Sequence, residues 1–228
     1  MTGLVVLPGL DGTATMHAAF VEAAAEWFDP ISVIAYPTDK VLSYAELEAL
    51  VRTSLPKKRF VLLGESFSGP IALSIAADPP ANLVGLVLST TFARSPAPML
   101  SLLAPLVRIA PVRAIPQSIL SWLLLGRWAN RQIEIELQRA MDAVAPAVLR
   151  ARALDALGAD VCSKLGNISV PVLCLRATRD RLLSRAATAG ITSRIRHSAV
   201  VDVEGPHLLL QAAPQACAKA IGTFAMQP

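Results

Sequence analysis

The sequence predicts an α/β fold, a doubly wound, mostly parallel sheet of about six strands with a helical cap insertion, and three observations carry that prediction. Short runs rich in Val, Ile and Leu recur without polar alternation, as expected of strands covered on both faces. Stretches with apolar residues at helical spacing separate most of these runs, the order of a βαβ sheet. Between Leu88 and Val170 the alternation stops, and about 80 residues hold no strand-like run.

The first strand is expected at 4–7. The N-terminus, MTGLVVLPGLDG, has no basic segment and too short an apolar run for a signal peptide. A helix is expected at 15–28 (TMHAAFVEAAAEWF), then a strand at 31–35. The next helix, 43–54, starts with Ser43 and carries Glu46 three residues on, the pattern of a capping box. A strand at 60–63 runs into GESFSG and a helix at 67–77, and a strand at 83–88 follows. Residues 91–167 read as several short helices, which assigns 1–90 and 168–228 to the core and 91–167 to a cap or lid. Strands at 170–175 and 199–203 and the helix LLLQAAPQACAKAIGTF complete the chain. No internal repeat or low-complexity segment is visible.

Composition narrows the function. Of 228 residues, 54% are apolar and 17% charged, which excludes disorder. The formal charge of +4 includes Arg94, Arg108, Arg113, Arg127, Arg131, Arg139, Arg150 and Arg152 in the middle third. No block of like charges occurs, so these read as solvated helix faces, not a nucleic-acid surface. The three cysteines, Cys162, Cys174 and Cys217, form no CxxC pair, which argues for a reducing, cytoplasmic compartment and against a disulfide framework or a zinc site. Residues 99–125 are apolar, but Arg108, Arg113 and three prolines interrupt them, so no membrane span is expected.

The chemistry centres on Ser66. It follows the strand at 60–63 and precedes a helix, the setting of a nucleophile elbow, where Gly64 and Ser68 must be small for strand and helix to pass closely. The glycine usual at the fifth position is Ser68, with Gly69 one place late. A serine hydroxyl needs a base. Of three histidines, His17 and His197 read as surface or structural, whereas His207 follows the last strand in EGPH, at the sheet edge where Ser66 lies. Asp180, just past the strand at 170–175, is the orienting carboxylate, with Asp202 and Glu204 as less well placed alternatives, and the order Ser, Asp, His results. A developing oxyanion needs preorganised donors. The Phe67 amide at the helix start and the Leu10 amide, in a loop loosened by Gly9 and Gly12, are assigned that task. Glu65 has no role at this level.

Together, LPGLDGT, GESFSG, PVLCLRATRD and EGPHLL resemble the α/β-hydrolase superfamily over nearly the whole chain, and in more detail the bacterial carboxylesterases related to pimeloyl-ACP methyl ester esterase. Two departures stand out: Pro8 replaces the histidine usual before the oxyanion glycine, and the chain begins at what is normally the third strand, giving a minimal sheet. The resemblance implies a serine esterase for apolar short- to medium-chain acyl groups, with no metal or organic cofactor. It also implies a cap over the site. The apolar Leu100, Leu102, Leu103, Leu106, Trp122, Leu123, Leu124, Leu125 and Trp128 would then form either an acyl groove or the cap's own core. Leu10, Phe67, Trp122 and Trp128 are the expected substrate pocket. A small-molecule ester is the expected partner, and the cap arginines leave an acyl carrier protein open; oligomeric state is not readable. Thioesterase, acyltransferase and cofactor-free haloperoxidase activities, and an inert ligand receptor, are the rivals.

Overall fold

The computed structural model describes residues 1–95 and 115–226. Six strands form one sheet: β1 (Gly3–Leu7), β2 (Ile31–Val33), β3 (Phe60–Glu65), β4 (Leu83–Ser89), β5 (Val172–Ala177) and β6 (Ser198–Val203). Their order is β2-β1-β3-β4-β5-β6 and every pairing is parallel. The parallel sheet therefore aligns the carboxyl ends of β3, β5 and β6 along one edge, from which Ser66, Asp180 and His207 emerge.

Both faces of the four central strands are covered, which is why these strands lack polar alternation. Along β1, Leu4 and Val6 enter one core with Phe20, Val61, Leu63, Leu173 and Ile221, whereas Val5 and Leu7 enter the other with Leu62, Phe67, Ile71, Leu73 and Cys174. The strand period of two thus feeds two cores from one apolar run. The edge strand β6 is wetter: Val200 stays 40% exposed.

The flanking helices are α1 (Ala18–Ala24), α2 (Tyr44–Ser54), α3 (Gly69–Ala77), α7 (Arg185–Thr192), α8 (Leu209–Ala212) and α9 (Pro214–Ala225). The capping box at α2 forms: Ser43 Oγ accepts from the Glu46 amide, and Glu46 Oε2 accepts from the Ser43 amide at 2.8 Å. Two expected helices are broken. Residues Thr15–His17 form a 3-10 turn before α1, which stops at Ala24. The last helix is divided into α8 and α9 at Pro214, which has no N–H to continue a helix and serves as the first residue of the next one.

The described part of the insertion is helical: α4 (Gln117–Leu124), α5 (Arg131–Asp142), α6 (Pro146–Gly158) and 3-10 turns at Gly126–Trp128 and Cys162–Asn167. It is seated on the core through Leu125, Leu137 and Ala140 against Met16 and Leu208. The Leu208 amide also donates to the Leu124 carbonyl at 3.1 Å. The Leu125 side chain is fully buried in this seam. Leu100, Leu102, Leu103, Leu106, Arg108 and Arg113 lie outside the described residues. Among the described residues no helix is long and apolar enough to cross a membrane.

Candidate active site

β3 ends at Glu65, and the chain reverses into α3 through Ser66, whose φ is +47°. That left-handed conformation costs a residue with a Cβ of order 1–3 kcal/mol and lifts its side chain out of the strand-to-helix turn. The surroundings hold it there. Thr91 Oγ1 donates to the Ser66 carbonyl. A Cβ on Gly64 would come within 2.7 Å of the Ala72 Cβ, so strand and helix cross where only glycine fits. The second close crossing is at Gly69, where an added Cβ would lie 2.7 Å from both Cβ and Cγ2 of Thr91. The motif's second obligatory glycine is thus Gly69. Ser68, fully buried, fits because its hydroxyl is bonded on both sides: it donates to the Pro8 carbonyl and contacts Tyr36 Oη at 2.7 Å.

Ser66 Oγ lies 2.8 Å from His207 Nε2, and His207 Nδ1 lies 2.9 Å from Asp180 Oδ2. A carboxylate only accepts, so Nδ1 carries the proton and Nε2 is left to accept from the serine hydroxyl. Asp180 is itself fixed, since its Oδ1 accepts from the amides of Leu182 at 2.8 Å and Leu183 at 2.9 Å. His207 and Asp180 are almost wholly shielded, with side-chain exposures of 2% and 7%, while Ser66 is half-buried. The alternative carboxylates are occupied elsewhere: Asp202 pairs with Arg176 at 2.6 Å and Glu204 with Arg127. His197 is exposed. The arrangement can move a proton from a hydroxyl to an imidazole and stabilise the imidazolium that results.

The loop after β1 carries Leu10. With proline in place of the usual histidine, two other side chains brace it. Ser68 holds the Pro8 carbonyl, as above. Arg152 of α6, only 2% exposed, reaches across and donates through Nη1 to the carbonyls of Leu10 at 3.1 Å and Asp11 at 2.7 Å, and through Nη2 to that of Pro37 at 2.9 Å. Its guanidinium also sits 5.5 Å above the Tyr36 ring. This corrects the expectation that the middle arginines are all solvated: a guanidinium can be buried where carbonyl oxygens take up its donors. Gly12 has φ +67°, and a Cβ there would lie 2.8 Å from Arg152 Cζ, so this glycine is needed for both turn and arginine.

Phe67, next to Ser66, is buried between two tyrosines, stacked on Tyr44 at 4.8 Å and edge-on to Tyr36 at 6.4 Å, and Tyr44 Oη donates to its carbonyl at 3.0 Å. Leu10 is half-buried against the same core. Trp128 and Asp180 line a groove of about 480 Å³ with Leu125, Arg179 and Arg181. Trp122 is not among its walls. It is 60% exposed, with the Arg181 guanidinium 4.6 Å from its ring.

Behind the elbow lies a cluster that sequence reading missed. Glu65 is 2% exposed, and its Oε2 is 2.9 Å from Nε2 of His17, which is 1% exposed. Asp11, 9% exposed, accepts from the Thr13 amide at 2.8 Å and hydroxyl at 2.5 Å. Burial would raise the Glu65 carboxyl, but the charge and hydrogen bond of His17, helped by nearby Gln211 and His207, hold it below its ordinary value. Burial would likewise depress His17, yet Glu65 holds it above its own. Asp11 is raised, burial outweighing its bonds to Thr13. The signal that could have found the pair was slight: a carboxylate abutting the nucleophile inside an apolar strand must find a cation or a proton. Among the described residues no group of three or more His, Cys, Asp or Glu is placed to hold a metal ion.

A six-stranded parallel sheet, a serine elbow after its third strand, and a carboxylate and histidine at the ends of its last two define an α/β hydrolase. Residues 34–209 match the family described as serine aminopeptidase, S33, and the chain belongs to it. No curated protein matches the chain by sequence. Solved structures similar in fold include a hydrolase from Pseudomonas aeruginosa PA01, at 20% identity and TM-score 0.82 over 99% of this chain and 91% of that one. The enol-lactonase from Burkholderia xenovorans LB400 is similar at 20% identity and TM-score 0.81, over 100% and 92% of the two chains. A thermophilic esterase from Thermogutta terrifontis is similar at 20% identity and TM-score 0.79, over 99% and 89%.

Proposed function

We propose that this hydrolase cleaves carboxylic esters of apolar short- to medium-chain acyl groups through an acyl-enzyme on Ser66. The observation that carries the reading is the unbroken hydrogen-bonded chain from Ser66 Oγ through His207 to Asp180, starting at a strained elbow. His207 Nε2 takes the hydroxyl proton as Oγ attacks the ester carbonyl, and the amides of Leu10 and Phe67 receive the oxyanion. Collapse breaks the acyl C–O bond, and the imidazolium returns its proton to the departing alkoxide. Water, deprotonated by the same nitrogen, then releases the acid. Asp180 keeps Nδ1 protonated and stabilises the imidazolium.

The preference for apolar acyl groups is supported by the composition of the insertion, residues 91–167, which in this reading serves as a lid over the site. Leu10, Phe67 and Trp128 would contact the substrate, a small ester. The protein would act in the cytoplasm.

The test is hydrolysis of p-nitrophenyl esters of graded acyl length, alongside matched thioesters and aminoacyl p-nitroanilides. Ser66→Ala is expected to lose ~10³-fold or more in kcat, and a fluorophosphonate is expected to label Ser66 in the unaltered protein. Ester turnover that survives in Ser66→Ala would refute the mechanism. Faster cleavage of thioesters or anilides than of esters would move the substrate class.

A further inference from the structure

The loop that carries Asp180 is exposed at Thr178, Arg179, Arg181, Leu182 and Ser184, yet the carboxylate it delivers is almost wholly shielded. Its base is tied to the histidine loop, because the Thr178 amide donates to the Val203 carbonyl and the Arg179 amide to that of Gly205, both at 3.0 Å. Its tip is the turn in which Asp180 Oδ1 accepts from the Leu182 and Leu183 amides, and Arg181 stands at that tip. The Arg181 guanidinium donates through Nη1 to the Trp122 carbonyl near the end of α4 and lies 4.6 Å from the Trp122 ring. Gly126, with φ +55°, leaves the room for it: a Cβ there would come within 2.9 Å of Nη1. The same stretch of the cap reaches the histidine loop. The Leu124 carbonyl accepts from the Leu208 amide at 3.1 Å, Leu125 shares its core with Leu208, and Arg127 pairs with Glu204. Residues 122–127 therefore touch both loops that supply the bond between Asp180 and His207.

We propose that the cap stretch 122–127 registers Asp180 against His207, and that Arg181 is the positioning residue that fastens the acid loop to it. The inference rests on the esterase reading for its kinetic consequence, but not for its consequence at the imidazole. A planar guanidinium suits the task, since it donates in its plane to a carbonyl, stacks on an aromatic ring and keeps its charge at every working pH. Arg127 reaches the histidine loop only through an exposed ion pair, which salt screens. Without Arg181 the acid loop keeps its base and its own amide bonds but loses its hold on the cap, so the carboxylate can drift from Nδ1. The hydrogen bond at one ring nitrogen sets which nitrogen carries the proton. A displaced carboxylate lets the Nε2–H form appear, and that tautomer cannot take the proton of Ser66. Misplacing a catalytic group in this way costs rate more than binding.

Three variants test this. Arg181→Met keeps the length and removes the donors, Arg181→Lys keeps a cation for the ring and a donor for the carbonyl, and Gly126→Ala pushes the guanidinium off its seat from the cap side. The His207 tautomer is read by long-range proton–nitrogen NMR at a pH where the imidazole is neutral. His207→Gln assigns its signals, and Asp180→Asn marks the tautomer adopted without the carboxylate. Alongside, kcat and KM are measured on a p-nitrophenyl ester. The unaltered protein is expected to hold the Nδ1–H form. Arg181→Met and Gly126→Ala are expected to gain ~10% or more of the Nε2–H form and to lose ~10-fold in kcat with KM within ~2-fold, while Arg181→Lys falls between them and the parent. A folded Arg181→Met in which His207 remains wholly Nδ1–H overturns the proposal, whatever its rate, and Gly126→Ala decides in the same way if Arg181→Met does not fold. If the tautomer shifts while the unaltered protein cleaves no ester, the esterase reading fails and the positioning role of Arg181 stands.

Discussion

Ser68 fills a position where a hydrogen would be the ordinary choice, and its hydroxyl converts a packing requirement into two bonds, one to the Pro8 carbonyl and one to Tyr36. Ser68→Gly, which restores the more usual motif, should therefore destabilise the protein. It strands a buried tyrosine hydroxyl and a loop carbonyl at a cost of roughly 1–3 kcal/mol, measurable by urea unfolding, and it loosens the loop that presents Leu10. Gly69→Ala should cost a similar amount, about 1–3 kcal/mol, for the opposite reason: the methyl group overlaps Thr91, and moving Thr91 breaks its bond to the Ser66 carbonyl. A variant as stable as the parent at either position would contradict these assignments. Ser66, Asp180 and His207 were legible because each follows an apolar strand and the parallel sheet aligns strand ends. Ser68 was legible only as an anomaly, because its partners are 60 and 32 residues away and nothing local announces them.

Among the elements, α6 is where the insertion reaches furthest into the site. Its Arg152 donates to three carbonyls of two loops, so the helix and the segment after β1 are positioned by one side chain. Arg152→Met keeps the length and the apolar stem but removes every donor. It should lower stability by roughly 2–3 kcal/mol and, on the proposed mechanism in which the Leu10 amide receives the oxyanion, reduce kcat at least ~10-fold with less change in KM, because the loop is unpinned. Single-turnover kinetics separate that loss from a binding defect; an unchanged acylation rate would show that the loop keeps its shape unaided. The sequence of α6, PAVLRARALDALG, places this arginine two residues from Arg150, which looks the same, and only the tertiary fold brings Arg152 onto the loop carbonyls. Helix ends were misread for a related reason. The window at 15–28 has helical spacing throughout, but the chain must turn toward β2 after α1, and the demand comes from the sheet.

At the scale of the whole molecule, the strand runs were legible because central strands covered on both faces need apolar residues at every position, and only the edge strands β2 and β6 admit much water. A buried ion pair left no such trace, yet it should govern how global stability responds to pH. Glu65 is held below its ordinary 4.5, so its contribution is present above that value and is lost as pH falls through the lower folded one. His17 is held above its ordinary 6.5, so its contribution is complete below that value and is lost as pH rises through the higher folded one. Asp11, raised from 3.8, contributes fully below that value and loses that contribution as pH climbs through its higher folded one, against Glu65 and in the same direction as His17. The pair therefore contributes most between 4.5 and 6.5. Urea unfolding of the parent and of His17→Gln, Glu65→Gln across pH 4 to 9 should show a stability difference that peaks inside that window and shrinks on both sides, no more steeply than about 1.4 kcal/mol per pH unit for each proton. A difference that is flat across the range would mean that neither residue's proton affinity changes on folding, which would contradict the buried ion pair.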